Sequence, residues 1–126
     1  MTSLPIDCKT VLVIEDDASI RETLQEALEG EGYTVRTAAN GREGLDSMRA
    51  QPSRPCLVLV DMMMPVMTGR EFLDEVLKDS DLATTPVFVV SAIADRGNTA
   101  GAAGFIRKPA DLNVVLSMVE KHCHRH

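Results

Sequence analysis

No apolar run in the chain approaches the ~18 residues of a membrane-spanning helix, and Met1–Asp7 does not read as a charged-then-apolar leader. A basic footprint is also missing. Thirteen Lys and Arg against nineteen Asp and Glu leave a net charge of −6, the opposite of what nucleic-acid binding requires. Cys8, Cys56 and Cys123 are odd in number and include no C-x-x-C, so they read as free thiols in a reducing compartment. No Gly/Ser/Thr-rich loop follows the first apolar run, which tells against a flavin phosphate held at that turn. The absences together predict a cytoplasmic protein with no membrane contact and no direct nucleic-acid contact. The tail His122-Cys123-His124-Arg125-His126 reads as a polar, frayed end rather than a chelating site.

At 126 residues the chain is expected to form one domain over 1–126, with a core spanning about 8–122. Short β-branched runs alternate with segments of helical period. Val11–Ile14 is apolar throughout, as a strand buried on both faces must be. Ile20, Leu24, Ala27 and Leu28 then recur at helical spacing, with Asp17 or Ser19 as N-cap and Gly30 and Gly32 as stops. Tyr33–Thr37 reads as a second strand, and Asn40 caps a helix bearing Leu45 and Met48. Leu57–Val60 is a third strand. A loop with Pro65 and Gly69 leads to a helix whose inner stripe is Phe72, Leu73, Val76 and Leu77. Pro86 opens a fourth strand, Gly104–Ile106 is a fifth, and a last helix begins near Pro109 with Leu112, Val115, Leu116 and Val119 inward. The alternation predicts an α/β sandwich around a five-stranded parallel sheet. Between the fourth and fifth strands, Ala94–Gly104 carries Gly97, Gly101 and Gly104, each costing about 1 kcal/mol against Ala inside a helix. The fourth helix in order is therefore expected to be shortened or irregular.

In an open α/β sheet, chemistry gathers at the carboxyl ends of the strands. Here those ends carry Glu15, Asp16 and Asp17, then Asp61, Ser91 and Lys108. Clustered carboxylates repel and raise one another's pKa unless a cation neutralises them. Mg²⁺ suits such a set, being a hard ion that takes one or two carboxylates, waters and phosphate oxygens. With Mg²⁺ bound, Asp61 can attack a phosphoryl group. Lys108 would then stabilise the added charge, and the Ser91 hydroxyl would donate to a phosphate oxygen.

The segments VLVIEDD (11–17), LVLVDMMMPVMTG (57–69), PVFVVSA (86–92) and GFIRKP (104–109) together resemble the receiver domain of two-component response regulators. The resemblance implies a flavodoxin-like, doubly wound (βα)5 fold. It makes Asp61 the phosphoacceptor, and Glu15 and Asp16 the metal-binding acids with Asp16 the direct ligand. The Met63 backbone carbonyl becomes a further ligand, Ser91 and Lys108 the phosphoryl contacts, and Ser91 and Phe105 the switch positions. It also implies a cis Lys108–Pro109 bond and a histidine kinase or histidine phosphotransfer protein as donor. A downstream protein target and a monomeric or weakly dimeric state complete the expectation. Such a domain is not an enzyme beyond phosphorylating and dephosphorylating itself.

Two departures stand out. Ser91 and Lys108 are 17 positions apart, shorter than the family pattern by about one helical turn (~3.6 residues). The deficit falls on the glycine-rich stretch and predicts readout through its order and disorder. Met63 and Ile93, two residues beyond Asp61 and Ser91, cannot orient a hydrolytic water by a strong hydrogen bond, which predicts slow self-dephosphorylation. Competing readings are a degenerate receiver that binds partners without phosphate, and an aspartyl-phosphate phosphohydrolase. The hydrolase reading needs a second Asp where Met63 stands.

Overall fold

A computed structural model describes residues 5–92 and 100–123. In chain order it contains β1 (Ile6–Ile14), α1 (Ala18–Gly30), β2 (Thr34–Ala38), α2 (Gly41–Ala50), β3 (Arg54–Asp61), α3 (Gly69–Lys78), β4 (Val87–Ser91), β5 (Gly104–Arg107) and, as the fourth helix among the described residues, α4 (Leu112–His122). The five strands are all parallel, in the order β2-β1-β3-β4-β5.

Alternation along the central strands builds two cores. Leu12, Ile14, Val58, Val60 and Val89 face α2 and α3, where they meet Leu45, Met48, Phe72, Leu73 and Val76. Val11, Val13, Leu57, Leu59, Val90 and Ile106 face the other way, onto Leu24 and Leu28 of α1 and Val115 and Val119 of α4. β3 is buried at all eight residues, which explains its unbroken apolar run.

The helix starts are fixed by side chains. Asp17 accepts from the Ser19 and Ile20 N–H groups, Asn40 from Glu43 N–H, and Asp111 from Asn113 N–H. Thr68 and Glu71 form a reciprocal capping box on α3. The last helix thus begins at Leu112 rather than near Pro109, because Asp111 supplies the cap. Leu77, expected inward, is 42% exposed: α3 ends at Lys78, and its buried stripe stops at Val76. Leu112 and Leu116 are half-buried, and α4 is held chiefly by Val115 and Val119. The Lys108–Pro109 bond is cis. The irregular segment expected from Ala94 lies mostly outside the described residues. The chain re-enters β5 through a turn at Ala100–Gly101, whose Ala100 carbonyl accepts from the Arg70 guanidinium at 2.8 Å.

Two cysteines depart from expectation. Cys56 on β3 and Cys123, just past α4, are joined in a disulfide with Cα atoms 5.5 Å apart, while Cys8 is free and exposed. The partners are 67 residues apart in sequence. Only the packing of α4 across the sheet brings them together, so spacing alone gave no sign of the pair. Cys123 is accordingly buried, and His122 stacks edge-on against Phe88 at 5.3 Å. These two residues belong to the fold and not to a frayed tail.

Val66, in the loop between β3 and α3, has φ +72° and is 79% exposed. A β-branched residue in the left-handed region is strained by about 1–2 kcal/mol. Val66→Gly removes that strain but adds about 0.4–1 kcal/mol of unfolded-state entropy. The variant is expected to melt slightly higher than the parent, by a few degrees at most, in a calorimetric scan. A lower melting temperature would show that the Val66 side chain makes a stabilising contact.

Candidate functional site

The acidic residues and the lysine converge because each follows a strand. Glu15 and Asp16 come directly after β1, Asp61 and Ser91 end β3 and β4, and Lys108 follows β5. β1 and β3 are neighbours from which the chain winds in opposite directions, the switch point where open sheets form their crevice. The register is held by backbone bonds. Met62 N–H donates to Val90 O at 3.0 Å and Lys108 N–H to Ser91 O at 2.9 Å, so Lys108 is drawn in beside the end of β4.

Asp61 is 5% exposed and Glu15 3% exposed, while Asp16 is exposed. Lys108 Nζ lies 3.0 Å from Asp61 Oδ2 and 3.5 Å from Glu15 Oε1. Asp61 Oδ1 accepts from Met63 N–H at 3.2 Å. Each of Glu15, Asp16 and Asp61 offers a carboxylate oxygen within 4.8 Å of the others. Glu15 Oε2 is buried without a hydrogen-bond partner. One ammonium therefore serves two buried carboxylates with a third at the rim, and a buried acceptor is left over. A hard divalent cation taking carboxylate oxygens and water meets that deficit, so the residues present fit Mg²⁺.

Burial, reinforced by the Asp61 carboxylate and only partly opposed by Lys108, pushes the Glu15 carboxyl up to about 8. Burial works against the charge on Lys108, but Asp61 and Glu15 outweigh it and hold the ammonium above its ordinary value. The consequence for stability has a definite sign. Between about 4.5 and 8 the folded state keeps a proton on Glu15 that the unfolded state has lost. In EDTA, the Glu15 contribution is therefore fully present below pH 4.5 and declines as pH rises to about 8. Denaturant unfolding at pH 5 and pH 8 is expected to show a smaller loss of stability in Glu15→Gln than in the parent. Identical pH slopes in the two proteins would count against a protonated Glu15.

The other expected residues fall into place unevenly. Ser91 is 5% exposed at the end of β4. Met63 is 74% exposed, leaving its side chain in solvent while its backbone lines the loop after Asp61. Phe105 is half-buried on β5, in register with Val89. Ile93 lies outside the described residues.

Two features had no signal in the sequence. The Arg21 guanidinium donates to the Glu15 carbonyl at 2.7 Å and pins the acidic loop, yet its position on α1 reads as ordinary helix surface. A cavity of about 490 Å³ opens beside Glu15, Asp61 and Lys108, lined by Ser19 and Thr23 of α1, by Ala110 ahead of α4 and by Leu112 at its start.

Comparison with known proteins agrees with this geometry. A family profile described as the response regulator receiver domain matches residues 11–120. The transcriptional regulatory protein CseB of Streptomyces coelicolor is 38% identical over 114 residues, covering 86% of this chain and 47% of that protein. Response regulator MprA of Mycolicibacterium vanbaalenii is 35% identical, over 85% of this chain and 47% of its own length. The chain thus spans about half the length of these regulators. Among solved structures, the chemotaxis protein CheY4 of Vibrio cholerae superposes with a TM-score of 0.82 at 29% identity, covering 97% of this chain and 99% of that one. Response regulator TrrA of Thermotoga maritima, solved in complex with Mg²⁺-BeF, gives 0.79 at 28% identity over 90% and 97%. Sheet order, acidic crevice and sequence agree, and the chain belongs to the response regulator receiver domain family.

Proposed function

We propose that Asp61 is the phosphoacceptor of this receiver, taking a phosphoryl group from a phosphohistidine on a histidine kinase or histidine phosphotransfer protein. The observation that carries the reading is the buried Asp61 carboxylate held 3.0 Å from Lys108 and within 4.8 Å of Glu15 and Asp16 oxygens. An Asp61 oxygen attacks phosphorus in line, the N–P bond breaks, and the electron pair leaves with the imidazole. Lys108 stays beside the new acyl phosphate and balances its added charge. Ser91, at the end of the neighbouring strand, would donate its hydroxyl to a phosphoryl oxygen. Glu15, Asp16, Asp61 and the Met63 carbonyl would hold Mg²⁺, which offsets phosphoryl charge when bound.

The two cores on one sheet support a single receiver unit. Among the described residues no helix is long and apolar enough to cross a membrane, which accords with work in the cytoplasm. Ser91 and Phe105 are the candidate switch positions through which phosphorylation alters affinity for a protein target.

Incubation with Mg²⁺ and acetyl phosphate, read by intact mass, tests the proposal: a gain of one phosphoryl group that mild alkali removes is expected. A folded protein that gains none from acetyl phosphate or from any phosphohistidine donor would support the phosphorylation-independent binding module instead. Once formed, the acyl phosphate is expected to decay slowly, because the exposed Met63 thioether is too weak an acceptor to orient water. Loss of the phosphoryl mass within seconds would overturn that expectation.

A further inference from the structure

The last helix is held unevenly. Its inward residues Val115 and Val119, and Cys123 at its C-cap, fall four apart and are all buried. Toward its start, Ala110 and Leu112 line the cavity of about 490 Å³ facing Ser19, Ile20 and Thr23, so that end of α4 borders open space. The far end is tied to β3 by the Cys56–Cys123 bond, with both residues 3% exposed. The Cys56–Cys123 bond thus adds a covalent link at the C-terminal end of α4 to the packing of Val115 and Val119 against the sheet. The reduced state is also provided for. Cys56 Sγ lies 3.1 Å from the Thr10 carbonyl, to which it would donate once reduced to a thiol. Cys123 packs among apolar side chains as a free cysteine readily does.

We propose that Cys56 and Cys123 form a reversible thiol–disulfide modification site that sets how firmly α4 is held to the sheet. The two sulfurs differ in access. Cys123 follows the last turn of α4, and opening of that turn exposes it without unfolding the sheet. Cys56 lies within the buried β3. In oxidation, the Cys123 thiolate attacks a low-molecular-weight disulfide such as oxidised glutathione, expelling one glutathione thiolate. As the turn closes, the Cys56 thiolate attacks Cys123 Sγ in the mixed disulfide and expels the second. The two protein thiols give up two protons and two electrons, and the oxidant becomes two thiols. In reduction, one thiolate of a dithiol attacks Cys123 Sγ and expels the Cys56 thiolate, and the second thiolate then closes the reductant's own disulfide and expels the Cys123 thiolate. Cys8, exposed and free, takes no part.

The full chain carrying Cys8→Ser is equilibrated natively across ratios of reduced to oxidised glutathione. It is then quenched with acid, alkylated in denaturant and weighed intact. The expected result is a single transition between two alkyl groups and none. Backbone hydrogen exchange in residues 112–123 is expected to be about tenfold faster or more in the reduced protein, with β1 and β3 unchanged. Cys123→Ser, which cannot form the bond, is expected to match the reduced protein at both glutathione extremes. Two alkyl groups at every ratio would overturn the proposal, and so would a bond that excess dithiol leaves intact under native conditions. Equal exchange of α4 in the oxidised and reduced forms would overturn its mechanical part. None of these measurements depends on phosphorylation, so the proposal stands or falls apart from the role of Asp61.

Discussion

Asp61→Asn is expected to take up no phosphoryl group from acetyl phosphate and Mg²⁺ under conditions where the parent gains one. The substitution keeps the shape of a side chain that is 5% exposed, so the loop after β3 can close as before. The amide oxygen can still accept from Met63 N–H, the bond seen at 3.2 Å to Asp61 Oδ1. The proposed nucleophile is lost, because an amide does not form an acyl phosphate by attack on phosphorus. Removing the carboxylate also leaves Lys108 with Glu15 as its remaining buried partner at 3.5 Å and relieves Glu15 of a neighbouring negative charge. The variant is thus expected to fold, to melt within a few degrees of the parent, and to bind Mg²⁺ more weakly for want of one ligand. Intact mass on both proteins, before and after mild alkali, decides the matter. If Asp61→Asn were labelled as fully as the parent, the phosphorylated residue would lie elsewhere and the reading of the site would fail.

The range of each interaction decided whether it was legible in the sequence. Val11–Ile14 and Leu57–Val60 were legible as buried strands because burial on both faces leaves a continuous apolar run, a purely local mark. Asn40 was legible as a cap for the same reason: its bond to Glu43 N–H spans three residues. Lys108 was legible because a lysine before proline at the end of a short strand matched a family pattern, and the structure sets it 3.0 Å from Asp61. The disulfide was not legible, since Cys56 and Cys123 meet only through the crossing of α4 over the sheet. Arg21 escaped notice because a guanidinium reaching back six residues to a carbonyl leaves no periodic trace. The cavity beside the site was hidden because empty space depends on several elements at once, and Ser19, Thr23 and Ala110 are unremarkable one by one. Leu77 was misplaced because helical period predicts a face but not where the neighbouring elements stop covering it.

Gly69→Ala carries the second large expectation, and its cause is steric. A Cβ at Gly69 would stand 2.7 Å from the Asp61 carbonyl oxygen, 2.8 Å from Met62 Cα and 3.2 Å from the Asp61 carbonyl carbon. All three are backbone atoms, so no rotamer change makes room. The first turn of α3 must move away from the end of β3, stretching the bond from Gly69 N–H to Met62 O, now 3.0 Å. Overpacking of this kind costs about 1–3 kcal/mol. The better helix propensity of Ala recovers little at the first position of α3, where the intrahelical ladder has barely begun. A loss of about 2–3 kcal/mol corresponds to a melting temperature lowered by roughly 10 °C in a domain of this size. The displaced backbone belongs to Asp61 itself, so phosphoryl uptake is expected to slow at temperatures where the variant is still folded. Gly30→Ala is the matched control: its Cβ would meet nothing within 4 Å, and it is expected to be neutral or slightly stabilising. Thermal melts of the three proteins side by side separate the steric cost from the general effect of an added methyl. Should Gly69→Ala melt with the parent, the close approach of α3 to the end of β3 is not a constraint on the fold.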